Sequence, residues 1–219
     1  MISNYIKIAW RNLTKQKLYS FINISGLAAG LAVCMMIMMY VAHEMSYDRF
    51  HKNADHIVAP NITMSYASGP LIKQSQPTVG AYMRTLPYFN ENPVVVTDPS
   101  SPAKKFTEDN LLFADPGFFN FFSFKLLSGS ANNVLSKPFT VVLSREMAKK
   151  YFGDENPVGK TLTIKTDSAY TYQVSGVAEN APSNSSITFN FVTSCQSFFV
   201  NEAGAKIRGW SAANDLWIL

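Results

Sequence analysis

One uncharged run dominates the polarity pattern of the chain. Ile24 to Ala42 reads ISGLAAGLAVCMMIMMYVA, and the absence of charge extends back to Leu18. As a helix these residues reach about 28 Å at 1.5 Å each, close to the hydrocarbon thickness of a bilayer. They are therefore read as a transmembrane helix within 18–43. Before it, Ile2, Ile6, Ala9, Trp10 and Leu13 recur at three- and four-residue spacing, while Lys7, Arg11 and Lys15 step by four along another face. That pattern predicts an amphipathic helix over 1–17 lying at the membrane surface, with Trp10 among headgroups and the cations near anionic lipid.

After the span the pattern shortens and alternates, predicting an α+β domain over 44–219 with a mixed or mostly antiparallel sheet. Glu44 to Val58 is polar and mixed in charge, and is expected to continue the helix before turning into a strand. Pro77 to Leu86 reads as a short helix, Pro93 to Thr97 as a strand, Asp98 to Lys105 as a polar loop and Leu111 to Ala114 as a short strand. Asp115-Pro116-Gly117 offers a helix N-cap with proline in the first turn, opening a run that holds Phe118, Phe119, Phe121, Phe122 and Phe124. The clearest unit is Phe139 to Leu143 as an apolar strand, with Ser144 capping a helix whose inner face is Met147, Ala148, Tyr151 and Phe152. Glu146 lies in its first turn, Lys149 and Lys150 in its last, and Gly153 ends it. Leu162 and Ile164, then Tyr170, Tyr172 and Val174, alternate as half-buried strands, and Ser186 to Val192 reads as one more.

Charge sets orientation and narrows the partners. The net charge is +4, yet Lys7, Arg11, Lys15 and Lys17 all precede the span with no acid among them. The remaining 15 Lys and Arg balance all 15 Asp and Glu, so the large domain is neutral. A neutral domain argues against nucleic acid as partner. Basic residues beside a span are retained in the cytoplasm, which puts the amino terminus inside and the domain outside. A cleaved signal peptide is the rival reading, but Tyr40-Val41-Ala42 is a poor cleavage site because Tyr40 is large. Within the span Gly26-Leu-Ala-Ala-Gly30 is a GxxxG, with Ala29 and Val33 on the same face, a pattern that favours close packing on another helix. For the amphipathic helix over 1–17 the bland reading is a lipid-contacting anchor, and the sharper one a coupling surface for a cytoplasmic partner.

No catalytic or cofactor chemistry assembles. Gly153 to Thr161 (GDENPVGKT) resembles a phosphate-binding loop, but it has one residue too many between its glycines and follows a helix instead of opening one. His43, His51 and His56 lack companion ligands at metal spacing and are read as solvated. Cys34 lies in the span and Cys195 stands alone in the domain, so no intramolecular disulfide can form within the domain. Asn61-Ile62-Thr63 and Asn184-Ser185-Ser186 are glycosylation sequons of low specificity. The chain is expected to carry no cofactor, no metal and no enzymatic activity of its own.

Several blocks, taken in order, resemble one family. KIAWRNLTKQKLYSFINISGLAAGLA is similar to the amino-terminal helix and first span of MacB/FtsX-type ABC-transporter permeases, and EMSYDRFHKNADHI to their junction into the outside domain. FADPGFFNFFSFKLLSG (Phe113 to Gly129), VVLSREMAKKYFG (Val141 to Gly153), NPVGKTLTI (Asn156 to Ile164) and YQVSGVAENAPSNSSITFNF (Tyr172 to Phe191) resemble the periplasmic core domain of that family. The stretch Ile57 to Val95 matches less clearly. The resemblance implies a bacterial inner-membrane permease subunit that pairs with a cytoplasmic ABC ATPase and passes ATP-driven movement to the periplasmic side, for export or mechanotransmission. It implies lipid, further permease spans or a second permease copy as neighbours in the membrane, with Gly26, Ala29 and Gly30 in the span bundle. Lys7, Trp10, Arg11 and Lys15 would lie on the ATPase or lipid side. The family carries further spans after its outside domain, so an amino-terminal piece of a longer permease is expected. The other class in view is a single-pass anchored binding or sensor domain, which more spans beyond Leu219 would exclude.

Overall fold

The computed structural model describes residues 2–60, 64–87, 94–166, 168–200 and 213–219. The chain divides into two compact units, Met1–Tyr47 and Asp48–Leu219.

In the first unit, α1 (Ile2–Lys15) is followed by α2 (Lys17–Glu44), parted at Gln16, where φ is −113° and ψ 64°. Backbone bonds bridge the break, from Gln16 N–H to Asn12 and from Ser20 N–H to Gln16. At 28 residues, α2 spans about 42 Å. None of its side chains is buried, and it is long and apolar enough to cross a membrane. The helix stops at Glu44 instead of running on. Met45 N–H closes back on Val41, and the Ser46 hydroxyl donates to the His43 carbonyl at 2.7 Å. Past this point residues up to Ile57 form turns and one short 3-10 turn, Ala54–His56. The expected strand shrinks to a single antiparallel bridge from Val58 to Ile218.

The second unit is built on one mixed sheet. Its elements in order are β1 (Met64–Ser65), α3 (Ser68–Ser75), β2 (Tyr82–Pro87), β3 (Val94–Asp98), β4 (Ser101–Glu108), β5 (Leu111–Ala114), α4 (Phe118–Phe121) and β6 (Leu126–Ser128). There follow β7 (Thr140–Ser144), α5 (Arg145–Phe152), β8 (Thr161–Lys165), β9 (Ala169–Ala178), β10 (Phe191–Ser194), α6 (Cys195–Val200) and β11 (Ala213–Ile218). The strand order is β1-β11-β2-β5-β10-β7-β9-β8-β3-β4, with β6 beside β9. The β5–β10 and β7–β9 pairs are parallel and the others antiparallel.

The central strands explain their own sequences. Every residue of β5, β7 and β10 is buried, because both faces of the sheet are covered there. Such strands read as continuous apolar runs, whereas β8 and β9 toward one side alternate. One face carries α5 and α6, with Leu111, Val141, Tyr151, Tyr172 and Phe191 in its core. The other carries the phenylalanine run, where Phe118, Phe119, Phe122, Phe124 and Phe189 pack at ring separations of 5.1–6.4 Å. These aromatic contacts add to area burial.

The β7–α5 unit follows the sequence reading. The Ser144 side chain accepts from Met147 N–H, Met147, Ala148, Tyr151 and Phe152 are buried, and Gly153 ends the helix at φ 64°. Four expectations are corrected. Pro77 to Leu86 is no helix: residues 82–87 alternate in burial as β2, paired with β5 and β11. The polar stretch expected as a loop becomes part of β4, a strand paired with β3 at the end of the strand order. The phenylalanine run holds one helical turn, with Gly117 at the cap position and Asp115 supplying its backbone carbonyl to Phe118 N–H. The last strand pairs only over Phe191–Ser194, and residues 186–190 form a loop.

Candidate functional site

On α1, Lys7, Trp10, Arg11 and Lys15 are all exposed, and so are the apolar residues Tyr5, Ile6, Ile8 and Leu13. At about 100° per residue the cations wind along one side while Ile6, Ala9 and Leu13 occupy the opposite one. Trp10 sits at the edge of that apolar stripe. On α2, Gly26 and Gly30 lie one turn apart and a Cβ at either would meet nothing within 4 Å. Among the described residues nothing crowds these two glycine positions.

The junction at the start of the second unit was misjudged in the sequence. Of the three histidines, His43 and His56 are exposed as expected, but His51 is buried. Its ring packs against Phe50, Phe122 and Phe124 at 4.1–5.4 Å. Burial lowers its pKa, opposed by Asp48, whose Oδ1 lies 4.0 Å from Nε2. Nδ1 is buried with no hydrogen-bond partner among the described residues. Asp48 adopts a left-handed backbone, with φ 56°. Its N–H donates to the Asn184 carbonyl, and its Oδ1 accepts from Ser186 N–H, both at 2.9 Å. Lys52 N–H then donates to Ser123 Oγ at 2.9 Å. The segment just after the span is thus latched onto the loop before β10 and onto the phenylalanine run. The turn-forming Asp48 and the aromatic pair Phe50-His51 were the available signal, hidden by the surrounding charge.

Two polar networks stiffen the sheet. Arg84 on β2 and Asp115 after β5 form a bidentate pair, Nε to Oδ2 at 2.7 Å and Nη2 to Oδ1 at 3.0 Å. The guanidinium also donates to the Tyr66 carbonyl at 3.0 Å and lies 3.7 Å from the Tyr66 ring centroid. Burial opposes the Arg84 charge, but the bonds and charge of Asp115 outweigh it and raise its pKa. Burial, with Asp115 nearby, pushes the Tyr66 phenol and the Cys195 thiol up, so both stay protonated. On the α5 side, buried Glu108 accepts from Tyr151 Oη and pairs with Lys150 Nζ, each at 2.7 Å. Among the described residues no group of three His, Cys, Asp or Glu is placed to hold a metal ion. The loop Gly153 to Thr161 leaves α5 and leads into β8, with Lys160 paired to Glu155. The sequon at Asn61 lies outside the described residues.

These features define a class: an α+β domain behind an amino-terminal helix long and apolar enough to cross a membrane, with no enzyme-like constellation among the described residues. The chain belongs to the MacB-like periplasmic core domain family, whose model matches residues 20–212. That family is a component of ABC-transporter permeases. Among solved structures, a domain assigned to a permease protein of Porphyromonas gingivalis matches at TM-score 0.56 and 23% identity, covering 71% of this chain and 62% of that one. The periplasmic region of MacB from Actinobacillus actinomycetemcomitans matches at TM-score 0.50 and 20% identity, covering 72% and 65%. The extracellular domain of the ABC-type transporter YknZ from Gram-positive bacteria matches at TM-score 0.50 and 13% identity, covering 73% and 74%. At these identities the likeness is one of fold. No curated protein matches the chain.

Proposed function

We propose that the chain is a permease subunit, or the amino-terminal part of one, of an ABC transporter. In this reading residues 1–17 lie on the cytoplasmic surface of the inner membrane, 18–43 cross it and 44–219 form the periplasmic domain. Lys7, Trp10, Arg11 and Lys15 meet lipid headgroups and a cytoplasmic ATPase, while Gly26, Ala29 and Gly30 pack on another span or a second copy. ATP-driven movement then reaches the periplasmic side for export or mechanotransmission.

The observation that carries this reading is the latch. A span that only anchored its domain would need no more than a loose linker. Here Asp48, His51 and Lys52 are each bonded or packed into the domain immediately after the span. A displacement of that segment has backbone bonds through which to act on the sheet.

Photo-crosslinking from position 7 in cells tests the ATPase contact. The expected product contains an ABC-type ATPase subunit. An active complex with no such crosslink from positions 7, 11 or 15 refutes the contact. The single-pass sensor reading is favoured only by there being one candidate span among the described residues, and a gene with no further spans after position 219 would select it.

A further inference from the structure

The phenylalanine-bearing side of the sheet holds a cleft of about 190 Å³. It opens where the end of β2, the start of β5, the loop 186–188 and β11 converge, and its polar lining is Thr85, Asn110, Ser186, Thr188 and Asp215, with Trp217 as one wall. That volume equals about six waters at ~30 Å³ each, well under the ~300 Å³ where pockets for drug-sized ligands begin. It has room for one side chain and little more.

The chemistry of the lining is one-sided. Among the described residues that line it Asp215 is the one ionisable group, with no Lys, Arg or His. The Asp215 carboxylate has neither a hydrogen bond nor an ion pair among the described residues. Solvent still reaches it, but the surrounding walls desolvate it enough to raise its pKa above the usual carboxylate value. The Asn110 carboxamide and the Ser186 and Thr188 hydroxyls likewise have no protein partner among the described residues, and each offers an acceptor oxygen. Trp217 is fixed in orientation, because its Nε1–H donates to Thr85 Oγ1 at 3.0 Å and its ring packs edge-on against Phe122. A fixed indole, an uncompensated carboxylate and several spare oxygens suit a cation carried on an apolar stem. The stem lies along the indole and the charged head reaches the carboxylate.

We propose that this cleft is a binding subsite for one ammonium or guanidinium group on an aliphatic stem, of the kind borne by lysine and arginine. The ligand would come from a partner or cargo polypeptide, or be a free diamine. Its position matters to the fold, since Ser186, which lines the cleft, is also the residue whose N–H donates to Asp48 Oδ1. An occupant therefore touches the same loop as the post-span latch.

The test uses the full chain in lipid nanodiscs, labelled with ¹⁵N-tryptophan, and follows the Trp217 indole resonance assigned through Trp217→Phe. Nα-acetyl-lysine amide and Nα-acetyl-arginine amide are titrated beside pentane-1,5-diamine and the neutral control Nα-acetyl-glutamine amide. The expected result is a saturable shift for the cations, with half-saturation on the order of 1 mM for one such contact, and none for the control. Asp215→Asn should weaken binding about tenfold or more with the circular dichroism unchanged, and Asp215→Glu should retain part of it. A tighter response to the amides assigns the cleft to a polypeptide, and a tighter response to the diamine assigns it to free amines. No cation-dependent shift, an equal shift with the neutral amide, or an unaltered titration in Asp215→Asn overturns the proposal.

Discussion

The Arg84–Asp115 pair offers a sharp test of how the domain is held together. Asp115 accepts from Arg84 Nε at 2.7 Å, Nη2 at 3.0 Å and the Arg84 backbone N–H at 3.2 Å. The two side chains are only 13% and 12% exposed, so solvent does little to screen them. Asp115→Ala removes these three contacts and a longer one from Tyr66 Oη at 3.5 Å, and leaves a guanidinium that burial already opposes. Breaking one partner of a buried pair costs about 3–5 kcal/mol. The Tyr66 carbonyl and ring remain as partners for Arg84, which places the expected loss near the lower end, about 3 kcal/mol. Replacing both partners by apolar groups is far milder, because no uncompensated charge is left. The combination Arg84→Met with Asp115→Ala should therefore cost less than the sum of the single changes by about 2 kcal/mol. Urea denaturation of the full chain in detergent, read by circular dichroism and tryptophan fluorescence, measures all four species. A loss below about 1 kcal/mol for Asp115→Ala, the range of an exposed pair, or strict additivity in the cycle, would refute the argument.

Two further outcomes follow from backbone and burial. His51 has a folded pKa below its unfolded value of 6.5, so the unfolded chain binds the proton more readily; stability is full above about 6.5 and falls as pH drops from there toward the folded pKa, by at most ~1.4 kcal/mol per pH unit. Denaturation midpoints between pH 7.5 and 5 should show this loss, and His51→Phe, which keeps the aromatic packing, should reduce it; an unchanged pH profile in His51→Phe would assign the loss elsewhere. Gly129 has φ 93°, and a Cβ there would lie 2.6 Å from Val134 Cγ1 and 2.7 Å from the Ser175 carbonyl, so Gly129→Ala should destabilise by about 2 kcal/mol or more, readable as a lowered urea midpoint.

Much of the central sheet was legible because its signals were local. Ser144, the Met147–Phe152 face and Gly153 specify a start, an inner side and a stop within ten residues, and no distant contact is needed to read them. Where a distant partner decides, the reading failed. Residues 82–87 carry no strong period of their own and become a strand through β5 and β11, with Arg84 tied to Asp115. Asp115 has the right residue type for a helix cap, but its carboxylate is claimed by that arginine. His51 looked solvated because its neighbours are charged, and only the fold brings Phe122 and Phe124 around it. The cleft at Asp215 and Trp217 is assembled from four separate parts of the chain, which no spacing rule could gather.

The post-span segment has a mechanical consequence. Between Asp48 and Val58 it is fastened at three separate places, to residues 184–186, to Ser123 and to Ile218. The last fastening is a pair of opposed backbone bonds, each 2.9 Å, between Val58 and Ile218. Antiparallel bonds lie across the strand direction. Tension along the strand loads both in shear at once, whereas peeling would load them one after the other. Such a fastening holds nearly rigid under a modest pull and then releases in one step, which gives the segment the character of a tether with a threshold and not of a spring.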